Sequence, residues 1–462
     1  MDTKALRQKI LDLAIHGKLV PQVPNDEPAS VLLERIRAEK ERLIKEGKIK
    51  KGKKSAKTSD KPHYPFELPK GWCFTNIGEL LINRDGERKP VSSAIRSKQS
   101  NKIYDYYGAA GVIDKIDDYL FDEKLLLIGE DGANLLSKSK NNAFFAEGKY
   151  WVNNHAHVLD ATDKNLLEYV AIVINAIKLD DYITGSAQPK LSQDNLNKIP
   201  IVLPPLSEQK RIMEAIIHWS LLIEQIEQNK IDLQASIKQA KSKVLDLAIH
   251  GKLVQQDPND EPASELLKRI NPKAEIITDN GHYQKLPEGW TICKLKDICS
   301  KLVDGDHNPP KGTKETTEYL MLSAQNIVND NIVYTNGVRY LNHDAFETSD
   351  KRTKVMQGDL LITIVGTLGR SCVFSDNKKI TLQRSVACLT PLIYNHFLKY
   401  YMDSSSIQKY MTTNAKGTAQ KGFYLNQLEQ LPIMIPPLTE QQRIVARIEK
   451  IFARLDVIES AL

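Results

Sequence analysis

The sequence predicts an α+β fold in which two mixed α/β domains are separated by long helices that pair as an antiparallel coiled coil. Three observations lead to this prediction. Blocks of the 462-residue chain recur about half a chain length apart, apolar residues keep a heptad spacing over long stretches, and short apolar runs that end at glycine lie between the repeated blocks. The same observations predict a pseudo-twofold internal repeat, with one copy split across the termini as in a circular permutation.

The internal repeat is longest in its first block. Leu11–Val20 and Leu245–Val254 are identical over ten residues. Four further pairs of blocks recur in the same order, namely Pro24–Ser30 with Pro258–Ser264, Leu68–Trp72 with Leu286–Trp290, Gly185–Gln188 with Gly417–Gln420, and Pro204–Ile212 with Pro436–Ile444. A period this long excludes a solenoid of short repeats. The residues between the blocks, 73–184 and 291–416, differ from each other, so we expect one common frame that presents two different surfaces.

The first long helix is predicted directly after Pro204-Pro205, with Ser207 as its N-cap. Gly251 ends it, and at 1.5 Å per residue it would be about 54 Å long. An apolar ladder with steps of four and three, interrupted only by Lys230, consists of Ile212, Ile216, Trp219, Ile223, Ile226, Leu233, Ile237, Ala240, Val244 and Leu247. Because such a stripe is not stable in water, this helix needs a partner of similar length.

The partner ladder is divided between the two ends of the chain. Its members are Ile444, Ile448, Ile451, Leu455 and Ile458 near the C-terminus, and Leu6, Ile10 and Leu13 near the N-terminus. Packing both termini against the central helix would bury both ladders. The alternative is that each amphipathic helix is buried on its own domain, but the presence of the ladder in both copies favours the paired helices.

The regions between the repeated blocks predict mixed α+β domains with a β-rich centre. Leu125–Ile128 and Leu360–Val365 are apolar runs that each end at glycine. The other predicted strand segments are 151–159 and 381–389, and the predicted helices are Lys164–Ile177 and His396–Met411. Polar and Gly-rich residues follow the strands, which is the usual position of a recognition surface.

The composition narrows the class of protein. Hydrophobic residues make up 41% and charged residues 26% of the chain, which is typical of a soluble globular protein and excludes wholesale disorder. No apolar run approaches the ~18 residues of a membrane span, and the N-terminus has no apolar signal core. Five cysteines without a C-x-x-C pair predict a reducing cytoplasm rather than a disulfide scaffold.

The net charge of +6 is concentrated in one stretch of the chain. Residues 37–61 contain eleven Lys or Arg and four Asp or Glu, which gives a local charge of +7. Because this stretch is also rich in Gly and Ser, we interpret it as a basic flexible linker in preference to a DNA clamp. The net charge is therefore weak evidence for a nucleic-acid partner.

The sequence predicts no catalytic residue and no metal site. Asn-Pro-Pro at 308–310 resembles the adenine-holding motif of amino-methyltransferases, but Lys311 stands where an aromatic ring is needed. His155 and His157 would lie on one face of a strand, yet no cysteine or carboxylate is spaced to complete a set of metal ligands. We therefore favour a structural or DNA-facing role for both histidines.

The repeated motifs resemble those of a known family. A duplicated frame with Leu-Asp-Leu-Ala-Ile-x-Gly-Lys-Leu, Leu-Pro-x-Gly-Trp and Pro-Pro-Leu-x-Glu-Gln is similar to the specificity (S) subunit of type I restriction-modification systems. Tyr106–Gly111 and Ile128–Gly132 resemble one class of its target recognition domains, and Asp304–Pro310 and Leu322–Ile327 resemble another. The resemblance covers essentially the whole chain and departs from the family mainly at the basic linker 37–61.

The resemblance implies a non-catalytic function. Each target recognition domain would read one half of a bipartite, asymmetric target in double-stranded DNA, and the paired helices would set the spacer length. Two methyltransferase (modification) subunits would dock on the helices, and two motor-nuclease (restriction) subunits would join them. This chain would bind no cofactor itself, since S-adenosylmethionine, ATP and magnesium would belong to those partners.

The implied domain organisation has five segments. They are an N-terminal helix at 1–20 that completes the distal conserved helical region, a first target recognition domain at 21–203 that includes the basic linker 37–61, a central conserved helix at 204–254, a second target recognition domain at 255–435, and a C-terminal conserved helix at 436–462.

Candidate DNA contacts follow from side-chain chemistry alone. Candidate phosphate contacts are Arg96, Lys98, Lys138, Lys140, Lys311, Lys314, Arg370 and Lys421. Candidate readers of base edges are Asn134, His155, Gln325, Asn326, Gln383 and Arg384. Two other functions stay open at this point: a coiled-coil adaptor that binds proteins, and an enzyme with an unrecognised active site in one insert.

Overall fold

A computed structural model describes residues 2–49, 67–185, 187–278, 286–328, 330–335, 337–417 and 420–462. The chain divides into two compact units, Met1–Asn229 and Lys230–Leu462. Both units mix helices and sheets, which confirms the predicted α+β class. Much of the predicted basic linker, at 50–61, lies outside the described residues.

The first unit contains eight helices and ten strands among its described residues. The helices are α1 (Thr3–Ile15), α2 (Ala29–Lys45), α3 (Ile77–Leu80), α4 (Ser93–Arg96), α5 (Asn134–Ser137), α6 (Asn165–Ala176), α7 (Gln193–Lys198) and α8 (Leu206–Ile249), which continues into the second unit. The strands are β1 (Cys73–Asn76), β2 (Ile82–Asn83), β3 (Tyr104–Gly108), β4 (Gly111–Ile116), β5 (Phe121–Asp122), β6 (Leu125–Gly129), β7 (Ala143–Ala146), β8 (Lys149–Val152), β9 (Ala156–Asp160) and β10 (Pro200–Leu203).

Two four-stranded sheets form the centre of the first unit, in the strand orders β2-β9-β6-β7 and β4-β3-β8-β5. The first sheet is antiparallel throughout, whereas β3 pairs parallel with β8 in the second. β6 is buried at every residue, because its continuous apolar run leaves no polar face for solvent. The outer strands β1 and β10 form a separate antiparallel pair.

The second unit adds six helices and eleven strands among the described residues. The helices are α9 (Ala263–Ile270), α10 (His343–Thr353), α11 (Asn395–Asp403), α12 (Ser405–Thr413), α13 (Leu425–Glu429) and α14 (Leu438–Ser460). The strands are β11 (Thr291–Lys294), β12 (Cys299–Asp304), β13 (Tyr319–Leu322), β14 (Ile327–Val328), β15 (Asn331–Ile332), β16 (Arg339–Tyr340), β17 (Leu360–Thr363), β18 (Ser371–Val373), β19 (Lys379–Leu382), β20 (Val386–Pro391) and β21 (Pro432–Ile435).

The sheets of the second unit follow the topology of the first. The order β12-β20-β17-β18 corresponds to β2-β9-β6-β7, and β16-β13-β19 corresponds to β4-β3-β8. The parallel pair recurs as β13 with β19, and the outer pair recurs as β11 with β21. The segments 73–184 and 291–416 thus share a fold although their sequences differ.

Several predicted elements differ in detail from the observed ones. The segment 151–159 is not one strand, since a turn at Asn153–His155 separates β8 from β9. In the same way a turn at Gln383–Ser385 separates β19 from β20. The predicted helix His396–Met411 is two helices, because Ser404 is extended and its hydroxyl donates to the carbonyl of Tyr401 at 2.7 Å.

Two further predictions about helix ends are corrected. α8 begins at Leu206, so Ser207 lies within its first turn and is not its N-cap. Residues 37–45, predicted as linker, form the second half of α2. They are anchored by Lys40, whose Nζ donates to the carbonyls of Gly78, Glu79 and Leu81 at 2.8, 3.0 and 2.8 Å. Burial lowers the pKa of Lys40 to about 8.

We call α1, α8 and α14 the frame helices, because they carry the predicted apolar ladders. The ladder residues fall into three groups by exposure. The buried ones are Ile10, Ile212, Ile223, Ile237, Ile444 and Ile448. The half-buried ones are Leu6, Leu13, Ile216, Ala240, Val244, Leu247, Ile451 and Leu455. The exposed ones are Trp219, Ile226, Leu233 and Ile458. Exposed and buried residues therefore alternate along the middle of the α8 stripe, since Ile223 is buried between the exposed Trp219 and Ile226.

Ion pairs join the frame helices within each unit. In the first unit, Arg7 of α1 and Glu227 of α8 form an ion pair of 3.1 Å. In the second unit, Lys241 of α8 lies 2.6 Å from Asp456 and 2.9 Å from Glu459, both on α14. These contacts support helix pairing inside each unit.

Candidate functional site

The repeated motifs of the first unit meet in a buried polar cluster around Glu208. The indole Nε1 of Trp72 donates to Glu208 Oε2 at 2.9 Å, and Gln22 Nε2 donates to Glu208 Oε1 at 3.3 Å. The same Gln22 amide also donates to the carbonyl of Gly17 at 2.6 Å. Gly17, Trp72 and Glu208 belong to three different repeated blocks, and Gln22 lies between two blocks, so the cluster joins three of the repeated blocks into a structural frame for the unit.

The second unit builds the same cluster around Glu440. Trp290 Nε1 and Gln256 Nε2 each donate to its carboxylate at 3.1 Å, and Gln256 also donates to the carbonyl of Gly251 at 2.8 Å. Burial raises the pKa of Glu440 and of Glu208, although the hydrogen bonds from Trp and Gln oppose the shift. Neither carboxylate opens to solvent, so these groups serve the fold.

Three candidate contacts of the first unit are engaged in internal bonds. Arg96 Nε donates to Asp114 at 2.8 Å, and its guanidinium lies 4.2 Å from the ring centre of Tyr106. Asn134 closes a loop by accepting from the backbone N–H of Lys140 at 2.9 Å. Lys138 donates to carbonyls at the C-terminal end of α6, and burial lowers its pKa. These residues shape loops in the first insert.

The other candidates of the first unit lie at its surface. Lys98 and Lys140 are exposed, and so is His155 in the turn between β8 and β9. His155 Nδ1 lies 2.7 Å from Asp131 Oδ2. The two histidines therefore do not share a strand face as predicted, because His155 precedes β9 and His157 is buried within it.

His157 forms a buried charge cluster that the sequence did not reveal. Its Nδ1 lies 2.6 Å from Asp85, its Nε2 donates to the carbonyl of Leu191 at 2.8 Å, and Glu130 lies 3.9 Å away. His157, Asp85 and Glu130 have ligand atoms within 4.8 Å of one another. Both ring nitrogens are already bonded, and Arg88 pairs with Glu130 at 2.7 Å, so the arrangement is that of an ion-pair network rather than a metal site. The hydrogen bond from His157 lowers the pKa of Asp85 against the opposing effect of burial.

A groove in the second unit brings together three predicted base-edge readers. Gln325, Gln383 and Arg384 line an open groove with a volume of about 820 Å³. Gln420, from the second Gly-x-Ala-Gln block, and Arg339 line it as well. Neither residue was predicted as a candidate, although the repeated block at 417–420 contains Gln420. The residues next to Arg339 in the sequence did not indicate its position in the groove. Its guanidinium donates at 2.7 Å to the carbonyl of Pro310, which is distant in the sequence.

The remaining candidates of the second unit differ in exposure. Asn326 is fully buried, accepts from the N–H of Ser323 at 2.8 Å and donates to the carbonyl of Val333 at 3.0 Å, so it holds the wall behind the groove. Lys311, Lys314 and Lys421 are exposed. Arg370 is exposed too, with its Nη1 3.4 Å from the carbonyl of Ile327. Among the described residues, no helix has the length and apolar character that crossing a membrane requires.

Comparison with solved structures places the fold. One chain from a structure described as the basis of complex assembly and conformational transition of the type I R-M system aligns with a TM-score of 0.50 and 16% sequence identity. The alignment covers 86% of this chain and 94% of that one. Two mixed α/β units on helical frames are therefore an architecture shared with a protein of known structure.

Sequence comparison identifies the family. The family model described as type I restriction modification DNA specificity domain matches residues 69–237 and 287–461, so the chain belongs to this family of DNA-binding specificity subunits. The type I restriction enzyme EcoEI specificity subunit of Escherichia coli is 27% identical, with 99% of this chain and 90% of that protein covered. The EcoAI specificity subunit of Escherichia coli is 32% identical over 64% of this chain and 62% of that protein.

Proposed function

We propose that this chain is the non-catalytic subunit that gives a type I restriction-modification complex its DNA sequence specificity. The observation that carries the proposal is the shared sheet topology of the two units, whose strand-end loops differ. One scaffold with two unlike surfaces fits the reading of two unlike half-sites. The target would thus be bipartite and asymmetric, with each unit reading one half of double-stranded DNA.

The frame helices would set the spacer and dock the methyltransferase subunits. α8 is a single helix of 44 residues, and its middle section exposes Trp219, Ile226 and Leu233. Exposed apolar side chains that repeat along a helix fit a helical protein partner. Two modification subunits would bind here and two restriction subunits would join them. These partners, in the cytoplasm, would hold the S-adenosylmethionine, ATP and magnesium.

The proposed domain boundaries follow the frame. The helices at 1–20, 204–254 and 436–462 would form the conserved regions, and the target recognition domains would be 21–203 and 255–435. Of the candidate DNA contacts, we retain the exposed cations for phosphates and the groove residues for bases. Asn326 and Lys138 are assigned to structural roles because their polar groups are committed to the protein.

The proposal is tested by reconstitution. The purified chain is mixed with the methyltransferase subunit from the same operon, S-adenosylmethionine and duplex DNA, and modified bases are mapped at single-base resolution. We expect methylation only when both chains are present, and only at an interrupted two-part sequence. Methyl transfer or DNA cleavage by this chain alone would instead support an unrecognised active site. A complex that forms without changing where methylation occurs would support an adaptor.

A further inference from the structure

The groove of the second unit presents hydrogen-bonding groups that the fold does not use. Gln325, Gln383, Arg384 and Gln420 all line it. Within the described part of the chain, none of these four side chains makes a hydrogen bond or ion pair with another residue. An amide carries both donors and an acceptor, and a guanidinium carries five donors. The groove is therefore equipped to bind a polar surface.

The turn that carries Gln383 and Arg384 is held through its main chain. The N–H of Gln383 donates to the carbonyl of Leu322 at 2.8 Å, and the N–H of Arg384 donates to the carbonyl of Asp306 at 3.0 Å. A third bond, from the N–H of Val386 to the carbonyl of Gln383 at 3.0 Å, closes the turn. The backbone is thus fixed by the last residue of β13 and by Asp306, which lies just beyond β12, while both side chains line the groove.

Gly305 allows the close approach that this anchoring needs. A Cβ atom at this position would lie 2.3 Å from the carbonyl oxygen of Leu382 and 2.4 Å from that of Gln383. Any larger residue would push the turn away from β12. The turn is therefore preorganised, which reduces the entropy that binding would otherwise cost.

Two carboxylates close in sequence to Gly305 accept hydrogen bonds from groups other than Arg384. Asp304 accepts from Arg352 and lies 2.7 Å from His307 Nε2. Asp306 accepts from the hydroxyl of Ser349 at 2.6 Å. Within the described residues neither carboxylate pairs with the guanidinium of Arg384, so its donors are left for a ligand that carries hydrogen-bond acceptors.

We propose that Arg384 and Gln383 determine the sequence specificity of the second unit, with Arg384 reading a guanine and Gln383 an adjacent adenine in the major groove. The guanidinium fork matches O6 and N7 of guanine, and the amide matches N6 and N7 of adenine. Consecutive Cα atoms lie about 3.8 Å apart and stacked bases about 3.4 Å apart, so adjacent residues suit adjacent base pairs. This inference rests on the proposed function.

The corresponding turn of the first unit has a different chemistry. There the turn at Asn153–His155 joins β8 to β9, the strands that correspond to β19 and β20. Counted from the strand ends, Asn153, Asn154 and His155 correspond to Gln383, Arg384 and Ser385, so an asparagine stands where the second unit has Arg384. The two units would therefore read different bases from the same position in the fold.

The test uses the full chain in complex with its methyltransferase subunits. Base-resolution methylation mapping gives the preferred target of the wild type, Arg384→Ala and Gln383→Ala, with Lys351→Ala as a control that removes an exposed charge on α10 outside the groove. We expect Arg384→Ala to lower the preference for one G·C pair of the second half-site roughly 5- to 150-fold. Gln383→Ala should relax a neighbouring A·T pair, and the first half-site and spacer should not change.

A chemical substitution in the DNA gives an independent measurement. 7-Deazaguanine lacks the N7 acceptor, so at the position read by Arg384 it should slow methylation by the wild type and not slow Arg384→Ala further. Unchanged preferences in both variants would overturn the inference, as would a wild-type second half-site that is insensitive to 7-deazaguanine at every position. That second result needs no variant to fold. Absence of any two-part target in the wild type would overturn the proposed function as well, so the two failures are distinguishable.

Discussion

At the scale of single residues, similar side chains serve different purposes according to their spatial neighbours. Asn326 and Gln325 are adjacent in sequence, yet Asn326 is buried behind the wall and Gln325 lines the groove. The sequence nominated Gln383 and Arg384 as base readers from the hydrogen-bonding chemistry of their side chains alone, and it placed both within one predicted strand at 381–389. It could not separate Asn134, whose partner Lys140 closes a loop, from an amide open to solvent.

Glu208 and Glu440, the buried glutamates of the two polar clusters, make the stability of the folded protein depend on pH. Because the pKa of Glu440 is raised in the folded state, the folded state binds its proton more tightly than the unfolded chain does. Its contribution is present below the unfolded pKa and is lost as pH rises through the raised pKa. We therefore expect the stability of Glu440→Gln to rise relative to that of the wild type as the pH is raised from 4.5 to 7.5.

Guanidinium chloride unfolding at those two pH values measures this difference. Glu288→Gln, at an exposed position just before Trp290, is the matched control, because it removes a carboxylate that lies outside the buried cluster. A constant free-energy difference between Glu440→Gln and the wild type would contradict the prediction.

At the scale of elements, apolar runs in the sequence predicted the buried strands well, whereas the turns between adjacent strands were predicted poorly. β6 and β17 begin at the first residues of the runs predicted at 125–128 and 360–365, because continuous apolar sequence fits a strand buried on both faces, although β17 ends at Thr363. The turns at Asn153–His155 and Gln383–Ser385 were missed, since neither contains the Gly or Pro that usually signals a turn. The second is held instead by the distant carbonyls of Leu322 and Asp306.

The glycine after α8 gives a test of how the frame is packed. Gly251 has φ +65°, and an added Cβ would lie 2.4 Å from Pro287 Cγ and 3.3 Å from the Trp290 ring. Gly47 also has positive φ, +71°, but nothing lies within 4 Å of its added Cβ. Gly251→Ala should therefore lower the free energy of unfolding by about 1–3 kcal/mol more than Gly47→Ala.

Denaturant unfolding of the two variants checks the comparison. Both pay the same backbone strain, so the difference between them isolates the contact with the Leu-Pro-x-Gly-Trp block. Equal destabilisation of the two variants would contradict the prediction, because it would mean that Pro287 and Trp290 can move away from the added Cβ without loss of stability.

At the scale of the whole molecule, the duplication could be predicted from the sequence, because Leu11–Val20 and Leu245–Val254 are identical. The common fold of the segments 73–184 and 291–416 could not be predicted by comparing their residues, because the two segments share the order in which their strands pair and not their sequence. The similar pattern of apolar runs was the one sequence feature that indicated it. The proposed role of α8 as a spacer ruler belongs to this scale.

The ruler is tested by lengthening α8. Insertion of one heptad after Ile226 adds about 10 Å of helix, which corresponds to roughly three base pairs of DNA. We expect the preferred spacer to lengthen while both half-sites stay the same, as measured by methylation mapping of the reconstituted complex. Exchange of residues 73–184 for another insert is the complementary control, since it should change one half-site and leave the spacer. An unchanged spacer in the lengthened protein would argue against the ruler.

The main-chain anchoring of the Gln383–Ser385 turn has a consequence for how this protein changes over generations. The bonds to Leu322 and Asp306 use N–H groups that every residue except proline possesses. Side chains at 383 and 384 can therefore be replaced without loss of the contacts that keep the turn in place. Under the proposed function, the side chains that read bases would be separate from the main-chain groups that hold the turn, so new recognition would evolve by single substitutions that the fold tolerates.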